Sequence, residues 1–174
     1  QRFHLPTTVR IALYQGYLLP DRGLSTLVHT AAYLAQDIVI VLLGQSFGAM
    51  ERSMQEMIDK NGVSDRIKIL PAVPYAELLE WTASADLGLL LLPPDYSLSI
   101  RKCLPNKFFE YIMAGLPILA SNLDAIVPLI NGYQLGQVQE ELIPERIAAS
   151  INQLLADQER IASMRAHVLH VCLL

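Results

Sequence analysis

Short apolar segments alternate with amphipathic segments along this chain, and no two apolar segments are joined by a tight turn. The clearest apolar segment, residues 38–43 (IVIVLL), is rich in β-branched residues and ends at Gly44, which is typical of a strand buried on both faces. Residues 50–60 follow with the apolar spacing of a helix and end at Asn61 and Gly62. Because parallel strands need a long crossover whereas hairpins need only a turn, the alternation predicts a parallel sheet.

The strand–helix alternation repeats about six times along the 174 residues. We predict strands at residues 9–13, 38–43, 67–70, 86–92, 117–120 and 133–138. We predict helices at residues 24–35, 50–60, 75–83, 124–130, 144–155 and 158–171, and a further helix described below. The pattern therefore indicates a doubly wound α/β fold in one domain spanning residues 1–174. Its mostly parallel sheet lies between two helical layers, with right-handed crossovers.

Composition narrows the classes of function. The chain is 52% hydrophobic and 17% charged, which supplies a large core, and its net charge of −4 gives no basic surface for nucleic acid. No apolar run reaches the ~18 residues of a membrane span. The chain opens with Gln1, and we expect it to be part of a longer protein. The sequence leaves open whether that protein associates peripherally with a membrane.

Cysteine and histidine usage argues against a metal site and against disulfides. Cys103 and Cys172 are the two cysteines, and neither they nor the four scattered histidines have the spacing of metal ligands. We expect two free thiols in a cytoplasmic protein and no bound metal. Ligands of open parallel sheets bind beyond the carboxyl ends of the strands. The loops predicted there are residues 15–23, 71–75 and 93–107.

One stretch, residues 104–121 (LPNKFFEYIMAGLPILAS), carries the strongest functional signal. Pro105 and Asn106 can start a helix, Lys107 and Glu110 place a cation and an anion in its first turns, and Gly115 ends it. A doubly wound sheet builds a phosphate and ribose site from a loop, a helix that opens with a charged pair, and then a strand.

Four segments resemble, in order, the C-terminal nucleotide-sugar domain of a GT-B glycosyltransferase of the large retaining family four. They are YQGYLLPDRGLSTLV, VLLGQ, DRIKILPAVPYAELLEWTASADLGLLL and LPNKFFEYIMAGLPILAS. The resemblance implies transfer of a sugar from a nucleotide diphosphate of the UDP or GDP type, with retention of configuration and without a metal or other cofactor. It also implies an N-terminal domain of the same chain, absent here, that holds most of the acceptor.

The resemblance assigns roles unevenly. Glu110 matches the second glutamate of the family's pair, which binds the ribose hydroxyls, whereas the first glutamate's position holds Lys102. The family's diphosphate-binding arginine position holds Tyr17, and its lysine position holds Arg22, a planar cation that can bind phosphate through two hydrogen bonds. Lys107 is expected to supply a second positive charge.

The predicted site is completed by Gly16, Val73 and Asn106. Val73 and Tyr75 occupy the positions where the family holds the base. Gly16 allows the backbone to approach phosphate closely. Asn106 stands with Lys107 at a helix start, where free N–H groups and the helix dipole favour an anion.

Simpler interpretations stay open for each site residue. Glu110 fits a solvated helix face, and Asn106 and Lys107 fit ordinary capping. Gly16 and Arg22 fit plain turns, and Tyr75 fits a packing role in the core or on the surface. Two other functions also stay open: a nucleotide-sugar epimerase of related fold, and an α/β interaction domain that has lost its ligand. A dinucleotide domain is disfavoured because no G-x-G-x-x-G follows the first strand.

We also expect an exposed apolar surface at residues 17–19 and 96–100, facing the absent domain.

Overall fold

A six-stranded parallel sheet forms the centre of the computed structural model, which describes residues 2–173, with the backbone alone for Asp21. The strand order is β3-β2-β1-β4-β5-β6, and all neighbouring pairs are parallel. The strands are β1 (Arg10–Gln15), β2 (Ile38–Leu43), β3 (Ile67–Leu70), β4 (Leu87–Leu90), β5 (Ile118–Ser121) and β6 (Gly136–Gln139).

Eight α-helices connect the strands of the described chain or follow them. They are α1 (Leu24–Thr30), α2 (Met50–Lys60), α3 (Tyr75–Ala83), α4 (Leu98–Arg101), α5 (Asn106–Met113), α6 (Val127–Tyr133), α7 (Pro144–Ala156) and α8 (Gln158–Cys172). Short 3₁₀ turns at Pro20–Arg22 and Ala31–Tyr33 flank α1.

Alternate residues of the central strands enter two separate cores, one on each face of the sheet. Ala12 and Ile40 belong to the core that packs against α1, α2 and α7. Leu13 and Val41 belong to the core that packs against α5, α6 and α8. This three-layer arrangement confirms the predicted doubly wound fold. The strand order reverses direction between β1 and β4, so that the switch point of the topology lies at their carboxyl ends.

Several predicted boundaries differ from the structure. The stretch at residues 93–104 is not all loop, because Ser97 accepts a hydrogen bond from the Ile100 N–H and caps α4. The last strand does not begin at residue 133, because Tyr133 ends α6 and Gln134 adopts a left-handed conformation after it. The first strand runs on to Gln15, in register with Leu43.

The apolar surface predicted at residues 17–19 and 96–100 is present only in part. Tyr17, Tyr96 and Leu98 are exposed, whereas Leu18 and Ile100 are buried. The prediction was wrong for these last two because both belong to the interior of the domain.

None of the helices within residues 2–173 is long and apolar enough to cross a membrane.

Candidate functional site

A cleft of ≈ 260 Å³ opens at the carboxyl ends of β1, β2 and β3. Gly16 and Gly44 line its floor, Val73 and Tyr75 line one wall, and Glu110 projects from α5. A larger cavity of ≈ 410 Å³ includes Gly136 and lies where β6 begins. The cleft is the better candidate because ligands of parallel sheets bind at the carboxyl edge, beside the switch point.

The floor of the cleft is bare backbone. The Gly16 N–H donates to the Leu43 carbonyl at 3.0 Å, and the Gly44 N–H donates to the Leu70 carbonyl at 3.0 Å. A Cβ on Gly44 would lie 1.7 Å from the Gly16 carbonyl oxygen, so no side chain fits there. Gly16 has a φ of 122°, a conformation that favours glycine. Two glycines thus let a ligand approach the strand ends closely.

Glu110 is half-buried and hydrogen-bonded. Its Oε2 accepts a hydrogen bond from the Gln15 Nε2 at 2.6 Å. Gln15 is 1% exposed, and its Oε1 lies 2.6 Å from the Thr82 hydroxyl of α3. The carboxylate is therefore tied to the end of β1, unlike a solvated residue on a helix face.

Tyr111, the next residue of α5, anchors the helix over the switch point. Its hydroxyl accepts from the Gln15 N–H at 3.3 Å and lies 3.0 Å from the Leu13 carbonyl and 3.2 Å from the Leu89 carbonyl. Burial raises the pKa of Tyr111 well above its usual value, so the hydroxyl stays a hydrogen-bond donor. A Cβ on Gly88 would lie 2.8 Å from the Tyr111 ring, so this glycine makes room for the anchor.

Lys107 contributes a buried positive charge beside the floor. Its Nζ lies 3.6 Å above the centroid of the Tyr14 ring, a cation–π contact. The same nitrogen would lie 3.7 Å from a Cβ on Gly16. The Tyr14 hydroxyl donates to the Tyr17 carbonyl at 2.8 Å, which joins the strand to the following loop.

Arg22 and Lys107 both act on the thiol of Cys103. Burial raises the pKa of Cys103 and outweighs the two cations, which lower it, Arg22 more than Lys107. The thiol stays protonated at neutral pH, so Cys103 is no activated nucleophile.

The structure brings only some of the predicted site residues together. Gly16, Val73 and Glu110 line one cleft, and Lys107 lies beside Gly16. Arg22 does not line the cleft, and neither does Asn106, whose side chain is exposed at the first position of α5. The residue before it, Pro105, occupies the cap position without a side-chain hydrogen bond.

Sequence reasoning missed three residues that shape the cleft: Gln15, Tyr14 and Tyr111. The available signal was an amide at the end of an apolar strand, Gln15 after the run at residues 11–14. Within residues 2–173 no group of three or more His, Cys, Asp or Glu side chains could hold a metal ion.

The family described as Glycosyl transferases group 1 matches residues 1–168. The chain belongs to the group 1 glycosyl transferases. The family identified from the four sequence segments is thereby confirmed. This match includes every strand and all of the cleft.

Individual relatives of this group 1 domain are distant in sequence and close in fold. D-inositol 3-phosphate glycosyltransferase of Thermobispora bispora is 23% identical over 176 residues, which cover 95% of this chain and 40% of that protein. The crystal structure of WaaG, a glycosyltransferase involved in lipopolysaccharide biosynthesis, has a TM-score of 0.80 at 19% identity and covers 98% of this chain and 44% of that one.

A second structure was solved with ligands. Anabaena Alr3699/HepE, in complex with UDP and glucose, has a TM-score of 0.76 at 17% identity and covers 95% of this chain and 44% of that one. The group 1 domain thus spans about two fifths of the length of each of these three proteins.

Proposed function

We propose that this chain is the domain of a retaining glycosyltransferase that binds the nucleotide-diphosphate sugar, of the UDP or GDP type. The observation that carries the proposal is the convergence of Gly16, Val73 and Glu110 on one cleft at the carboxyl ends of neighbouring strands. These residues lie far apart in sequence. The resemblance implied nucleotide contacts for Glu110 and Val73, and the backbone freedom of glycine implied one for Gly16.

The two ends of the cleft suit a nucleoside. A carboxylate such as Glu110 has two acceptor oxygens, which matches the two adjacent hydroxyls of ribose. Val73 and Tyr75 lie on the wall beyond β3, and Tyr75 is 78% exposed, so its ring is accessible to a base. The ribose is assigned to Glu110 and the base to the wall at residues 72–75.

Positive charge and backbone amides suit the diphosphate. Lys107 lies beside Gly16, and the positive charge of Arg22 lowers the pKa of the Cys103 thiol in the loop before α5. The first amides of a helix have no partner within the helix and favour anions, and α5 begins at Asn106. The diphosphate is therefore assigned to the space between Gly16 and the start of α5.

A second domain completes this proposal. The chain spans about two fifths of its relatives' length, so a further domain of the same protein would carry the acceptor. Tyr17, Tyr96 and Leu98 are exposed apolar side chains that such a domain could cover. The complex of the Anabaena protein with UDP and glucose supports UDP as the first nucleotide to test.

Calorimetric titration of the 174-residue chain with UDP, GDP and ADP tests the assignment directly. Binding of one nucleoside diphosphate, with weaker binding of its nucleoside, is the expected result. Absence of binding by all three would contradict the proposal and favour an α/β domain that has lost its ligand.

The chain by itself is expected to bind a nucleoside diphosphate but to transfer no sugar. Two cores on the faces of one sheet should let the chain fold by itself, but the reacting groups of a two-domain enzyme meet only when both domains close on the substrate. Product analysis with a labelled nucleotide sugar and acceptor checks this. Efficient acceptor glycosylation by these 174 residues would overturn the expectation.

Replacing Arg22 by alanine should weaken UDP binding about ten-fold and leave uridine binding unchanged, because a guanidinium that meets only phosphate contributes one charge-assisted hydrogen bond or more. Titration of the variant with both ligands checks this. Arg52→Ala, on the exposed face of α2, is a matched control that should bind both ligands normally. Equal losses for uridine and UDP would show that Arg22 acts through the fold.

A further inference from the structure

We propose that Gln15 is a positioning residue for nucleotide binding, which holds the Glu110 carboxylate in place from the buried end of β1. The inference rests on the proposed function, since it requires Glu110 to meet the ribose. The sequence motifs described above assign no role to Gln15.

Three elements meet at this side chain. Gln15 is the last residue of β1, Glu110 lies on α5 and Thr82 lies on α3. The Gln15 Nε2 lies 2.6 Å from the Glu110 Oε2, and its Oε1 lies 2.6 Å from the Thr82 Oγ1. Gln15 is 1% exposed and Thr82 is fully buried, so water does not compete for the bond between them, and Glu110 is half-buried with its carboxylate lining the cleft.

The chemistry of the groups fixes the order of donors and acceptors. An ionised carboxylate only accepts, so Gln15 must turn its NH₂ group towards Glu110. Its carbonyl then faces the Thr82 hydroxyl, which has one proton and also lies 2.7 Å from the Leu78 carbonyl. The Glu110 carboxylate thereby prevents the Gln15 amide from flipping, because a flipped amide would place its carbonyl oxygen against a carboxylate oxygen.

The consequence is a carboxylate with restricted rotation. Glutamate has three side-chain torsions, and a free glutamate would lose their entropy when a ligand binds. With Oε2 held by a buried amide, most of this ordering is complete before the nucleotide arrives. Gln15 is therefore expected to strengthen recognition of the ribose and to leave binding of the phosphates unchanged.

The test compares UDP with 2′,3′-dideoxy-UDP in calorimetric titrations of wild type, Gln15→Met, Glu110→Gln and the double variant. Methionine keeps the length of glutamine and removes the amide. We expect Gln15→Met to weaken UDP binding about ten-fold, because the nucleotide would then have to order the Glu110 side chain itself, and to leave dideoxy-UDP binding nearly unchanged. In the Glu110→Gln background the same change should have little further effect, because the two residues act as a pair.

A matched control is Gln139→Met. Gln139 is also a buried glutamine at the end of a strand, its Oε1 accepts from the Ser150 hydroxyl, and it lies on β6 outside the cleft. Gln139→Met should lower the free energy of unfolding about as much as Gln15→Met does. It should leave the ratio of UDP to dideoxy-UDP affinity at the wild-type value. If Gln15→Met does not fold, Thr82→Val takes its place, with Thr30→Val as control, since Thr30 makes the same hydroxyl bond to the carbonyl four residues earlier.

The outcomes separate the inference from the proposed function. No nucleotide binding by wild type would overturn both. Binding by wild type that Glu110→Gln weakens but Gln15→Met or Thr82→Val does not would overturn the positioning role alone. An equal loss for UDP and dideoxy-UDP in Gln15→Met would also overturn it, because Gln15 would then act only through the fold.

Discussion

Glutamine in place of Glu110 should lower the affinity for UDP by roughly ten- to a hundred-fold, the range expected for hydrogen bonds to a charged group. The variant amide has one acceptor oxygen, and the Gln15 NH₂ group already donates to that side chain at 2.6 Å. The NH₂ group of the new amide would then be left for the ribose hydroxyls, where the carboxylate offers only acceptors. Calorimetric titration measures the change.

Two controls show whether the loss of UDP affinity arises from contacts with the ribose hydroxyls. 2′,3′-Dideoxy-UDP should bind wild type weakly and the variant about equally weakly. Glu56→Gln, on the exposed face of α2, should bind UDP as wild type does. The free energy of unfolding should change by no more than about 1 kcal/mol, because glutamine can still accept from Gln15. Wild-type UDP affinity in the Glu110 variant would remove this residue from the site.

The sequence predicts the strands and helices correctly where the hydrophobic pattern of a segment reflects its burial in the fold. A run such as residues 38–43 is apolar throughout because both faces of β2 are covered, and the predicted bounds of β2 and α2 match the structure. The helix α4 was missed because four residues are too few to show a helical period. It depends instead on a capping serine and on a contact from the Asp124 N–H to the Arg101 carbonyl.

The cleft was predictable to the extent that parallel strands end at one edge. This rule alone brings Gly16 and Val73 together, and the motif at residues 104–121 places Glu110 near them. The role of Gln15 could not be foreseen, because its side-chain partners lie 67 and 95 residues away in sequence. Asn106 was assigned from its place at a helix start, which does not decide where its side chain points.

Alanine in place of Gly44 is expected to cost about 4 kcal/mol or more of the free energy of unfolding, the size seen when a substitution forces backbone apart. The added Cβ would lie 1.7 Å from the Gly16 carbonyl oxygen and 2.8 Å from its carbonyl carbon. Both are backbone atoms, so no side-chain rotation relieves the overlap. The Gly16 N–H is bonded to Leu43 and the Gly44 N–H to Leu70, so β1, β2 and β3 would have to separate at the cleft.

Urea denaturation of wild type, Gly44→Ala and Gly132→Ala checks this expectation. Gly132 lies inside α6, and a Cβ there would meet nothing within 4 Å. Alanine should therefore stabilise that helix by about 0.5–1 kcal/mol, since it loses less backbone freedom on folding than glycine. If Gly44→Ala lowers the free energy of unfolding and Gly132→Ala raises it, the loss at Gly44 arises from the contact with Gly16. A Gly44→Ala variant as stable as wild type would show that the strand ends are not packed backbone to backbone, and the floor of the proposed nucleotide site would then lose its physical basis.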